Sequence, residues 1–123
     1  MASKTKSKKP VSIQPRIRAR RRSDIAIGPG KAELLALVGE TGSIGEAARR
    51  MGLSYMRAWL LIQTMNQCFK QPLILTVRGG QRGGGAELTE TGRKALALYQ
   101  EMEEASLRAV ECSWKQLRQL LRD

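Results

Sequence analysis

The chain has 123 residues, 41% of them apolar, which is enough for one domain with a core and too little for two. It holds 22 Lys and Arg against 11 Asp and Glu, two Cys and no His. That composition excludes histidine-ligated zinc and a four-thiolate site, and it removes the commonest general base, so neither an enzyme nor a cofactor or metal site is expected. No apolar run reaches membrane-spanning length and no apolar stretch follows the basic N-terminus, so neither a membrane partner nor a secretory leader is expected. Two unpaired thiols fit a cytoplasmic location.

The charge is unevenly placed. Residues 1–22 contain nine cations and no acid, while the rest of the chain is nearly neutral. Such a segment favours a polyanion, nucleic acid ahead of anionic lipid, with a merely solubilising tail as the bland alternative. Residues 1–12 are rich in Lys and Ser and are expected to be disordered. From Ile13 to Ile27 a short alternation suggests a basic hairpin turning at Arg22-Ser23-Asp24.

Gly28-Pro29-Gly30 ends that segment and opens a helix through Leu34, Leu35, Leu37 and Val38, which Gly39 and Gly42 are expected to stop. Ser43, with Glu46 three residues on, reads as a capping box. It starts a helix whose apolar face is Ala47, Ala48 and Met51. Gly52 supplies a tight turn, and Ser54 caps a second helix running to about Phe69 with Ala58, Ile62, Met65 and Phe69 on one side. Leu73–Val77 and Ala86–Leu88 read as strands around a glycine-rich loop. Thr89 then caps a long helix to about Leu121. The expected fold is mainly α with a small β component, a winged helix-turn-helix (13–92) with a long C-terminal helix (93–123).

If Ala58, Ile62 and Met65 point inward, Ser54, Tyr55, Met56 and Arg57 point out. A helix so exposed fits the major groove of DNA. Arg57 is the first candidate for reading a guanine; Ser54 and Tyr55 suit phosphate or base edges, and Met56 a thymine methyl. Trp59 is ambiguous, with packing on the wing favoured over DNA contact. An αα-hairpin without a ligand remains the alternative for this stretch.

The loop 78–85 lacks the Gly-Lys-Ser/Thr ending of a P-loop and the third glycine of a dinucleotide fingerprint. Its side chains Arg78, Gln81 and Arg82 suit a minor groove or its phosphates. A floppy surface turn and an Arg-Gly-Gly RNA-binding segment are the alternatives. The arm residues Arg16, Arg18, Arg20, Arg21 and Arg22 would add sequence-independent affinity.

Two apolar stripes run along the last helix, Ala95, Leu98, Met102, Ala105, Ala109 and Cys112 on one side. The other is Leu107, Val110, Trp114, Leu117 and Leu121. One can cover the core and the other is left for a second copy, so a homodimer is expected over a folded-back monomer. A dimer predicts dyad symmetry in the DNA site.

At Gly28-Pro29-Gly30-Lys31, Glu40-Thr41-Gly42-Ser43-Ile44, Ser54-Tyr55-Met56-Arg57-Ala58-Trp59, Met65-Asn66, Gly79–Gly85 and Leu88-Thr89-Glu90-Thr91-Gly92 the chain resembles the N-terminal DNA-binding domain of ModE-type molybdate-responsive regulators. That domain is similar to the LysR-type winged helix. The resemblance implies dimeric operator binding, with Ser54, Tyr55 and Arg57 on the recognition helix and Arg78 and Arg82 on the wing. It also implies molybdenum-related target genes. Full ModE-type proteins continue into oxyanion-binding domains, whereas this chain ends at Asp123 and no part of it resembles that ligand site. The expected function is therefore sequence-specific double-stranded DNA binding as a transcription regulator, without a molybdate-binding domain or effector site. The alternative is a non-specific architectural or RNA-associated nucleic-acid binder.

Overall fold

A computed structural model of the protein describes residues 11–77 and 85–123. The expectations for residues 1–10 and for Arg78, Gln81 and Arg82 fall outside them. Two antiparallel hairpins bracket three helices, and two further helices follow. The first hairpin pairs β1 (Ala19–Arg21) with β2 (Asp24–Ile27). Helices α1 (Pro29–Thr41), α2 (Ile44–Met51) and α3 (Tyr55–Cys68) follow, then strands β3 (Ile74–Val77) and β4 (Gly85–Leu88), then α4 (Glu90–Ala109) and α5 (Glu111–Arg118).

The core is assembled by each helix contributing one stripe. Leu34, Leu35 and Val38 from α1, Ala47 and Ala48 from α2, and Ala58, Ile62 and Met65 from α3 are all buried, with Leu73, Ile74 and Ala86 closing it from the second hairpin. Each Leu, Val, Ile and Met side chain so removed from water contributes about 1.5–3 kcal/mol before the entropy of ordering is subtracted. Alanines at the α2–α3 contact leave both helices free to approach closely.

Side-chain hydrogen bonds fix the remaining joints. Asn66 on α3 accepts from Leu73 N at 2.8 Å and Ile74 N at 3.2 Å, and its amide donates to Ile74 O at 3.0 Å. One side chain thus ties the end of α3 to the start of β3. Thr89 caps α4 by accepting from Gly92 N at 2.9 Å while its hydroxyl donates to Pro72 O at 2.7 Å. Gly92 is required there: a Cβ would lie 2.1 Å from Leu73 O. Register pairs Ile74 with Leu88 and Thr76 with Ala86, and Ala86 N also donates to Gly42 O at 3.0 Å, which anchors the second hairpin to the end of α1.

Four expectations are corrected. The first hairpin is shorter, because Ile13–Arg18 run without regular pairing and Arg22 adopts a φ of 58 in its turn. Gly39 does not end α1: it lies inside the helix beneath Leu88, and the left-handed Gly42, whose N–H reaches Val38 O, ends it. Only half of the capping box forms: Ser43 accepts from Glu46 N, but the Glu46 carboxylate turns to Arg49 and Arg50, and Thr41 takes the Ser43 N–H instead.

The long C-terminal helix is interrupted at Val110, which sits at φ −100 and ψ 4. Ser106 donates back to Glu103 O at 2.8 Å one turn earlier. Such back-bonding bends helices, and a β-branched residue in the next turn resists the helical well. Trp114 N then donates to Val110 O at 2.8 Å and the second helix begins.

Candidate nucleic-acid interface

The turn between α2 and α3 is set by backbone chemistry. Gly52 at φ 73 lets its N–H reach Arg49 O at 3.1 Å while Leu53 N reaches back to Ala48 O at 2.9 Å. This pair of reversed bonds closes the end of α2, and Leu53 drops onto the core beside it. Ser54 follows at once as the cap of α3, accepting from Arg57 N at 3.0 Å. Its hydroxyl hydrogen is left to donate outward.

With Ala58, Ile62 and Met65 buried, the first turn of α3 faces solvent. Tyr55 is 54% exposed and Met56 60%, and Ser54 and Arg57 are exposed beside them. Trp59, at 36%, and Leu60 continue the outer side, and Trp59 does not belong to the core cluster or to the side chains packed on it. Tyr55 also borders a cleft of about 430 Å³ whose other walls are Ser43, Ile44 and Gly45 at the start of α2 and Thr76, Val77 and Gly85 at the base of the second hairpin. The start of α3 and the base of that hairpin therefore open on one side of the molecule.

Lys31 was not singled out from the sequence. It lies in the first turn of α1, and burial holds its ammonium below the ordinary lysine pKa; the charge of Arg57 adds to that, while Cys68 and Asp24 oppose it. In the sequence it figures only within the Gly28-Pro29-Gly30-Lys31 stretch.

The arm arginines are all exposed. The Tyr99 hydroxyl donates to Ile17 O at 2.7 Å, so the arm is fastened to α4. Burial raises the Tyr99 pKa, with Glu103 acting in the same sense. Arg16 lines a cavity of about 600 Å³ with Glu33 and Glu103. Arg20 and Arg21 line a groove against α4 and the end of α3, where Cys68 and Phe69 stand. Arg57 and Cys68 are eleven positions apart, roughly 16 Å along a helix axis. The dimerisation candidates lie farther out: Leu107, Val110, Leu117 and Leu121 are exposed and Trp114 is half-buried. The inner face of α4 is Gly92, Ala95, Leu96 and Tyr99, so Leu98 and Met102 face solvent as well.

Two α-helices crossing at a tight turn, with the second one's first turn bare and a two-stranded hairpin beside it, define a winged helix-turn-helix protein. Residues 30–93 match the model of the bacterial regulatory helix-turn-helix proteins of the LysR family, more than half of the chain, and the chain belongs to that family. Among its curated relatives, the molybdenum-pterin-binding protein MopB of Rhodobacter capsulatus is 44% identical over 82 residues, covering 67% of this chain and 30% of MopB. The molybdenum transport protein ModE of Azotobacter vinelandii is 41% identical over 78 residues, 63% of this chain and 29% of ModE. The DNA-binding transcriptional dual regulator ModE of Escherichia coli K12 is 35% identical over 83 residues, 68% of this chain and 32% of that protein. These relatives bear out the ModE-type resemblance of the motifs. The chain spans about 30% of their length. Full-length CbnR, solved in complex with its target DNA, shares the fold with a TM-score of 0.51 at 23% identity, over 67% of this chain and 27% of CbnR.

Proposed function

We propose that the protein is a DNA-binding transcription regulator that reads double-stranded DNA in a sequence-specific way, with genes of molybdenum uptake or use as its targets. The observation that carries this reading is the bare first turn of α3, Ser54 to Arg57, whose Tyr55 shares a cleft with the base of the second hairpin. Arg57 reads a base edge, Tyr55 and Ser54 bond phosphate or sugar, and Met56 touches a methyl group. Arg78, Gln81 and Arg82 of the wing take the neighbouring minor groove or its phosphates. The exposed arginines of the arm, Arg18 and Arg22 foremost, add affinity that carries no sequence information. The names of MopB and ModE support the molybdenum connection. The regulator works in the cytoplasm as a homodimer whose C-terminal helices pair through Leu107, Val110, Trp114, Leu117 and Leu121, and it catalyses no reaction.

Selection of binding sites from random duplexes tests the reading. A dyad-symmetric motif is expected, bound at least about 10³-fold tighter than random DNA. Arg57→Ala should then cost about 1–3 kcal/mol on that motif and relax its preference at one position. Equal weakening on every sequence would make Arg57 a phosphate contact, and the lack of any enriched motif would replace specific reading by non-specific binding.

A further inference from the structure

We infer that the outer face of α3 chooses its DNA site through methyl groups, with Met56 and Leu60 each seated against the C5 methyl of a pyrimidine in the major groove. The inference rests on the DNA reading proposed above. It adds Leu60 to the side chains that set sequence preference, and it states the spacing of the bases they meet.

The burial of one side of α3 decides which residues can reach a groove. Ala58, Ile62 and Met65 are inside, so the opposite side is the one left bare. Met56 and Leu60 stand two positions before and two after Ala58, roughly 200° around the helix axis in either direction, and so straddle the middle of that bare side. Met56 is 60% exposed and Leu60 50%, and neither belongs to the core or to the side chains packed on it. After Arg57 the helix has no charged residue, and the next in the chain is Lys70. Past its first turn α3 therefore has no cation to offer a phosphate. The edges that base pairs present in the major groove are polar apart from the thymine C5 methyl. An exposed aliphatic pair on a helix that enters this groove matches that group best.

The separation of the two side chains sets the spacing of their targets. Four positions on a helix rise about 6 Å. Successive bases along a strand are about 3.4 Å apart. A helix lying along the groove thus brings Met56 and Leu60 to methyls two base steps apart. The same contact accepts 5-methylcytosine, whose methyl is carried on the same ring carbon as that of thymine. A protein surface is the competing occupant of this face. The exposed Ser54, Tyr55 and Arg57 beside the pair carry hydrogen-bonding groups, which a groove edged with phosphates satisfies better than an apolar protein surface does.

The test is binding of the full chain to the duplex enriched from random DNA, remade with deoxyuridine in place of one thymine at a time. The exchange removes one methyl and leaves every hydrogen-bonding group of the base in place. Two thymines that stand two base steps apart should each cost about fourfold in affinity on losing the methyl, the worth of one buried carbon. Leu60→Ala should abolish the cost at one of the two and Met56→Ala at the other, whereas Arg57→Ala should weaken binding and leave both costs in place. Cytosine placed at either position should bind about fourfold tighter when its C5 is methylated. Circular dichroism checks that these exposed substitutions leave the fold intact. A specific site that tolerates deoxyuridine throughout would overturn the methyl contacts while keeping the DNA-reading function. A Leu60→Ala variant that still loses affinity at both positions would overturn the role of Leu60, and one that binds DNA as the wild type does would leave this face to a protein partner. A selection that enriches no site would take down the proposed function and the methyl contacts together.

Discussion

Helix α3 and the α4–α5 pair carry apolar residues at the same helical spacing, yet they meet different fates. On α3 the row Ala58, Ile62 and Met65 is wholly buried, and its far side is left to solvent. On α4 the buried residues are Gly92 and Tyr99, while Leu98 and Met102 remain outside, and α5 buries nothing. Periodicity announces that a face wants cover without saying which body supplies it. Where helices α1 and α2 already stand opposite, the cover is internal. Where the chain runs past its own core, the face stays open to solvent.

The sharpest way to break this contrast is at the joint where α4 enters the core. Gly92→Ala should destabilise the fold by about 3 kcal/mol or more in a denaturant titration, because the added methyl would have to displace the Leu73 carbonyl. On the covered side, Met65→Ala should cost about 2–5 kcal/mol by the same measurement. Asn66→Ala should cost about 2–3 kcal/mol, since it leaves the Leu73 and Ile74 amides without their acceptor. Tyr99→Phe should cost about 1 kcal/mol by freeing the Ile17 carbonyl. The raised Tyr99 pKa gives that loss a pH signature. The folded state favours the neutral phenol, so its stabilisation is complete below the usual value of 10.0 and disappears as the pH rises above it. Melting curves above pH 10 should thus fall more steeply for the wild type than for Tyr99→Phe. The smallest effect lies on the uncovered side: Leu117→Ala, measured in dilute solution where copies are apart, should change stability by no more than about 0.5 kcal/mol.

Much of the three-helix core was legible in the sequence because local chemistry and packing agree there. Ser43 and Ser54 cap where they are expected, Gly52 turns, and the α3 stripe goes inside. The bared residues Ser54 to Arg57 follow from that stripe by elimination. Tyr99 was missed because the row Ala95, Leu98 and Met102 is the more apolar one. What reverses the choice is the Ile17 carbonyl, which comes from 82 positions away and accepts the hydroxyl. The role of Asn66 was hidden for a similar reason: an asparagine late in a helix looks like a weak helix former until the strand it holds is in place. Nor could alternation in the arm reveal that Arg20 and Arg21 flank a groove, since their neighbours there belong to α3 and α4.

The clasp made by Asn66 has a mechanical meaning under the proposed DNA-binding function. Because one carboxamide pins the tail of α3 to the root of β3, helix and strand stand like the two jaws of a caliper held at one opening. A stretch of duplex whose grooves are spaced differently must then bend or twist to be held, and the energy of that distortion enters the choice of binding site alongside the bases that are touched.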